Sequence, residues 1–140
     1  MNKICTSIEQ SQKLIELGID VKNADMGWNI FPDDSTRLLP IDDFDLVKDG
    51  WGNVEFIPAW TLPALFKFLP IYTHPTAFSV NVSVPSVTRT DNGWLLKYDG
   101  DFTLNMNNGK DTEAPVEFLA DNPIDAAFKM VVWLKKNNKI

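Results

Sequence analysis

Residues 122–136, Asn-Pro-Ile-Asp-Ala-Ala-Phe-Lys-Met-Val-Val-Trp-Leu-Lys-Lys, read as an amphipathic helix with both ends marked. Asn122 stands where a side-chain oxygen can cap free N–H groups. Pro123 takes the first helical position, where a missing N–H costs nothing, and Asp125 the third, where a carboxylate meets unpaired donors. Ile124, Ala127, Phe128, Val131 and Leu134 recur at helical intervals as one apolar stripe, widened by Val132 and Trp133. Lys135 and Lys136 suit the negative end of the helix dipole. Such a helix needs an apolar sheet face to lie across, and the residues upstream supply one.

Thr76 to Val84 alternates, with Phe78, Val80, Val82 and Val84 on one side and Ser79, Asn81 and Ser83 on the other, which predicts a strand with one wet face. Val87 to Thr90 adds a short strand before an Asp91-Asn92-Gly93 turn. Trp94 to Tyr98 and Phe102 to Met106 flank Asp99-Gly100-Asp101, a three-residue hairpin connection. Together these predict a meander of three or four strands. Val116 to Leu119 fits either an edge strand or a helical turn.

Two further helices lie nearer the N-terminus. The first begins at Thr6 or Ser7, because Thr6 to Glu9 and Ser7 to Gln10 both have capping-box spacing, and Ile8, Leu14, Ile15 and Leu17 give its apolar stripe. Gly18 supplies a left-handed stop, with Ile19 placed to pack back on the last turn. The second runs from Leu62 to Leu69, capped by Thr61, with Pro63 in its first turn and Pro70 after its end. Between them, Asp20 to Asn53 holds no period for long. Gly27, Pro32, Pro40, Gly50 and Gly52 interrupt it, and short strands are expected at Asp45 to Val47 and Val54 to Ile57. The expectation is a single α+β domain over residues 1–140: a two-layer, three- or four-stranded antiparallel meander packed against helices, with an acidic irregular segment at about 20–53.

At 140 residues with 44% apolar side chains, the chain can bury a core without disulfides or metals, and its one cysteine, Cys5, excludes an intrachain disulfide. Residues 1–10 lack the apolar core of a signal peptide, and no apolar run approaches the roughly 20 residues that cross a bilayer, so a cytoplasmic location is expected. Nine acids between Asp20 and Glu55 face only Lys22, Arg37 and Lys48, which accounts for the whole net charge of -6. That concentration repels phosphate and argues against direct nucleic-acid binding and against an anionic membrane.

Chemistry-bearing patterns are sparse. His74 is the sole histidine, so one chain cannot build a multi-histidine zinc site. Placed before Pro75, it fits a capping or loop hydrogen bond better than a catalytic base. Asp43, Asp45 and Asp49 stand at relative positions one, three and seven of a calcium loop, but Val47 and Trp51 hold the positions where further oxygens are needed. Gly50 and Gly52 lack the third glycine and the lysine of a phosphate loop. No catalytic residue, metal ligand or cofactor is assigned. Trp28, Trp51 and Trp60 lie on or beside the acid-rich segment, where rigid rings can anchor a loop or a partner protein.

Residues 122–137, together with the Gln10 to Leu17 helix, the run Pro58-Ala-Trp-Thr-Leu-Pro-Ala-Leu-Phe-Lys-Phe-Leu-Pro and Gly93-Trp94, resemble small uncharacterised proteins of gut Bacteroidales and of their phages or mobile elements. The resemblance implies an accessory role and carries no ligand or catalytic residue with it. The leading expectation is a noncatalytic protein-interaction module binding an unidentified protein partner through Trp28, Trp51, Trp60, Asp42, Asp43 and Asp45. Homodimerisation through a sheet edge or an aromatic patch fits the same pattern. The alternatives are a small hydrolase or lyase using carboxylates or His74, and an acidic DNA mimic.

Overall fold

The computed structural model describes residues 3–41, 54–75, 80–98 and 117–140, with the backbone alone for Tyr72–Pro75 and Val80–Ser83. It is an α+β fold in which antiparallel sheets pack against helices. The residues gather into two compact units, Met1–Leu65 and Phe66–Ile140.

In the first unit, helix α1 (Ile8–Glu16) starts at Ser7, whose hydroxyl accepts from Gln10 N while the Gln10 side chain accepts from Ser7 N, closing the predicted capping box. It ends as predicted at Gly18, with φ of +86°. Gly18 N donates to Ile15 O and Ile19 N to Leu14 O, the paired bonds of a Schellman stop. The buried side of α1 is narrower than expected: Ser11 and Leu14 are inside, whereas Ile15 is exposed. In a helix of nine residues only one line of side chains meets β3 (Glu55–Ala59), the strand on which α1 packs.

The segment expected to be irregular contains a regular hairpin, β1 (Met26–Ile30) with β2 (Thr36–Pro40), and β3 completes a sheet ordered β2-β1-β3. The expected strand at 45–47 lies outside the described residues, whereas that at 54–57 corresponds to β3. Gly27 sits where the Phe56 ring crosses the sheet, and an added Cβ would collide with that ring. Asp25 O bonds Ile41 N and Ser35 O bonds Phe31 N. By antiparallel alternation, Thr36, Leu38 and Pro40 then turn their backbone groups away from β1. The same alternation leaves Phe56 and Pro58 facing outward on β3. Each rim of this sheet therefore carries a proline at a position that makes no bond to β1.

The β1–β2 connection is a three-residue loop, Pro32-Asp33-Asp34. Asp34 N donates to Phe31 O, closing a turn with proline at its second position, and Asp34 itself is left-handed at φ of +66°. Asp34→Gly relieves that backbone strain, and the expected result is a gain of about 0.5–1 kcal/mol in chemical denaturation.

Helix α2 (Leu62–Phe66) is shorter than predicted. Leu69 N bonds Phe66 O in a tighter turn, because Pro70 disfavours helical backbone at the residue before it. Thr61 gives both its N–H and its hydroxyl to the Asp25 carboxylate.

In the second unit, β4 (Tyr72–Pro75) pairs with β5 (Val80–Ser83). A second three-stranded sheet follows, ordered β6-β7-β8 from Pro85–Thr90, Gly93–Tyr98 and Glu117–Ala120. β7 is paired on both sides, and residues 117–120 form a strand, at the edge among the described residues, rather than a helical turn. The expected strand at 102–106 lies outside the described residues. Leu96 and Tyr98 are buried, and the Tyr98 hydroxyl donates to Pro70 O at 2.8 Å.

Helix α3 (Pro123–Lys136) packs on β7 and β8. Asn122 Oδ1 accepts from Asp125 N, as predicted, and Asn122 Nδ2 adds a bond to the Asp125 carboxylate. Ile124, Ala127, Val131 and Leu134 are buried, joined by Ala126 and Met130, while Phe128 is half-buried. At the other end Asn138, with φ of +56°, repeats the Schellman stop without a glycine: Lys139 N bonds Leu134 O and Asn138 N bonds Lys135 O.

Candidate functional site

Two of the three tryptophans expected at a contact surface are engaged with their own fold. Trp28, on β1, is half-buried, and its Nε1 donates to Thr6 O at 2.9 Å. Trp60, just after β3, is wholly buried, which places it in the core rather than at a partner-binding surface. Its backbone N donates to Thr6 Oγ1 at 3.1 Å and its carbonyl accepts from Thr6 N at 2.9 Å. The indole Nε1 has no hydrogen-bond partner. An unpaired buried donor costs about 1–3 kcal/mol, which offsets much of the volume lost in Trp60→Phe, whereas Trp60→Ala is expected to lose about 3–5 kcal/mol. Thermal unfolding of the two variants checks the difference.

Cys5 lies in the same junction, bridged to Thr61 and buried, with its Sγ against Thr6 O at 3.4 Å. Burial pushes its thiol up from 9.0 to about 11, with the Asp25 charge adding to the effect and Lys3 opposing it. The thiolate is the nucleophile, so this thiol is inert in the folded chain. A thiol-specific reagent at neutral pH should leave the native protein unlabelled and label it fully in denaturant. Because the thiol's folded pKa is raised, its contribution to stability is fully present below 9.0 and lost as pH rises from there towards 11.

Among the described residues, the tip of the β1–β2 hairpin is an exposed, polar feature. Asp33 Oδ1 accepts from Ser35 N at 3.0 Å and from Ser35 Oγ at 2.6 Å, and these bonds hold the Asp33 carboxyl below its ordinary range. The associated stabilisation is present at neutral pH and fades as pH falls through the folded value. Pro32, Asp33, Asp34, Ser35, Thr36 and Arg37 are all exposed, and Phe31 is half-buried at their base. They border an open depression of about 660 Å³ lined by Phe31, Pro32, Asp33, Ser35, Thr36 and Arg37. The tip thus offers two carboxylates, one guanidinium and an aromatic edge on a stiffened loop. Proline, two aspartates and serine between two apolar runs are the sequence signal for this turn.

Asp42, Asp43, Asp45 and Trp51 lie outside the described residues. His74, expected in a loop, stands on β4 with Asn81 opposite it on β5. Among the described residues, no group of three or more His, Cys, Asp or Glu side chains could hold a metal ion, and no helix is long and apolar enough to cross a membrane. The chain matches no family model, no curated protein and no solved structure.

Proposed function

We propose that this protein is a noncatalytic interaction module that binds a protein partner through the β1–β2 hairpin tip, continued in sequence by Asp42, Asp43, Asp45 and Trp51. The observation that carries the reading is the exposed yet pre-ordered loop at Pro32-Asp33-Asp34-Ser35. Pro32, the left-handed Asp34 and the Asp33–Ser35 bonds fix its shape before any partner arrives, so little ordering entropy is lost on contact. An open depression suits the broad surface of a protein better than a small ligand, which needs enclosure. The acids select a basic partner surface, and Arg37 with Phe31 adds residue types enriched at such contacts. The resemblance to proteins of phages and mobile elements supports an accessory role in such an element.

The test uses affinity capture from the source lysate with the full chain and with Asp34→Asn/Arg37→Glu; asparagine tolerates the left-handed backbone at 34, and Asp33 and Ser35 are unchanged. A specific partner should bind the variant roughly tenfold more weakly, equivalent to about 1.4 kcal/mol. Equal capture by both chains would remove the hairpin from the interface. Turnover of a substrate by the purified protein would overturn the noncatalytic reading.

A further inference from the structure

We infer that Asn92 is a site of spontaneous backbone-directed modification, converting to aspartate and isoaspartate through a cyclic imide formed with Gly93. Asn92 is exposed, and Asp91 and Asn92 alone join β6 to β7, with Thr90 opposite Gly93 closing the hairpin. Neither Asp91 nor Asn92 has positive φ; the unusual backbone falls on Gly93, at +133°. Gly93 carries no Cβ to crowd the Asn92 side chain; the place a Cβ would take is filled by Ala120 O, on β8. The Thr90 hydroxyl accepts from Asn92 N at 3.2 Å and donates to Gly93 O at 3.0 Å. These bonds hold the peptide groups on either side of the reacting linkage, while the Asn92 carboxamide has no hydrogen-bond partner among the described residues and is free to turn towards Gly93.

The step balances with water alone. The Gly93 nitrogen forms a bond to Cγ of Asn92 and gives up its proton, the Cγ–Nδ2 bond breaks, and the side-chain nitrogen takes up that one proton and leaves as ammonia. Water then opens the five-membered imide. Cleavage of the new bond leaves aspartate, and cleavage of the original peptide bond leaves the chain running through the side chain as isoaspartate. Either product carries one more negative charge, beside Asp91, and takes the chain from -6 to -7. Isoaspartate also adds a backbone carbon inside a two-residue connection, which disturbs the Thr90–Gly93 pair.

The surroundings make the site selective. Asn29 is buried, its amide donates towards the Gly27 and Arg37 carbonyls, and Ile30 shields the next nitrogen. Asn122 is bonded to Asp125 and precedes Pro123, whose nitrogen carries no proton. Asparagine is among the residues lost first to slow chemical damage, and position 92 combines exposure with a following residue that has no side chain.

The full chain incubated in mildly alkaline buffer should accumulate a species one charge more acidic on anion exchange. Tryptic mapping should place the change in the Thr90–Lys97 peptide, split between aspartate and isoaspartate, severalfold faster than at the exposed Asn23. The Asn108–Gly109 pair falls in a separate tryptic peptide, so the two positions are read independently. Enzymatic carboxyl methylation detects the isoaspartate fraction, and Asn92→Ser should abolish the signal from that peptide. Persistence of the Asn92 amide in the folded chain after an unstructured Thr90–Lys97 peptide has converted would overturn the inference, as would conversion no faster than at Asn23.

Discussion

Gly93→Ala is expected to destabilise the second unit by about 2–5 kcal/mol, the sum of backbone strain and steric overlap. At φ of +133° an L-residue is strained whatever space surrounds it, and here there is little space. A Cβ on Gly93 would stand 2.5 Å from Ala120 O. That oxygen belongs to the backbone of β8, which is paired with β7 through Trp94–Ala120 and Leu95–Leu119, so it cannot withdraw without opening the sheet. Gly18→Ala provides the scale, since a left-handed helix stop with no comparable overlap should cost about 1 kcal/mol. Chemical denaturation of both variants measures the contrast. A Gly93→Ala protein as stable as the parent would mean that the β6–β7 turn is not built as described.

Thr6→Val is expected to cost about 2–5 kcal/mol in the first unit, because two buried polar groups lose their partner at once. Thr6 Oγ1 accepts from Trp60 N and shares a 2.8 Å hydrogen bond with Ser11 Oγ, and Thr6 and Ser11 are both wholly buried. Valine keeps the shape and removes the oxygen. The Trp60 N–H and the Ser11 hydroxyl are then stranded in an apolar setting, where the desolvation penalty dominates. Thr6→Ser keeps the hydroxyl and should lose only the methyl group, about 1 kcal/mol. Adding Ser11→Ala to Thr6→Val removes one of the stranded groups, so the double variant should be more stable than the two single changes sum to. A fully additive pair would show that the two hydroxyls are not coupled in the core.

Much of the fold was legible because its ends are punctuated. Asn122 with Pro123, Ser7 with Gln10, and Gly18 each satisfy or end a helix through local chemistry, and each behaves as the spacing predicts. The strand expected at Trp94 to Tyr98, as one flank of a hairpin connection, likewise corresponds to β7. The β1–β2 hairpin was not legible. Met26-Gly-Trp-Asn-Ile mixes a glycine and a buried asparagine into a strand whose order comes from neighbours: the Phe56 ring over Gly27, and the Arg37 carbonyl near Asn29 Nδ2. Such contacts form only after the sheet assembles, so no period records them. Composition led to Trp60 as an exposed anchor for the same reason. A tryptophan beside an acidic stretch looks available until β3 carries it under the N-terminal segment, where Thr6 seals it in. The candidate hairpin site was visible only as a turn signal, because its chemistry depends on the Asp33–Ser35 bonds.

Pro40 and Pro58 have a bearing on how molecules of this protein behave when crowded. Ladder growth by an arriving extended peptide needs an unbroken row of outward amide donors, and each rim of the β2-β1-β3 sheet interrupts that row with a residue that has none. The first unit is thereby discouraged from propagating into fibres, without charge or covering structure being needed for the purpose.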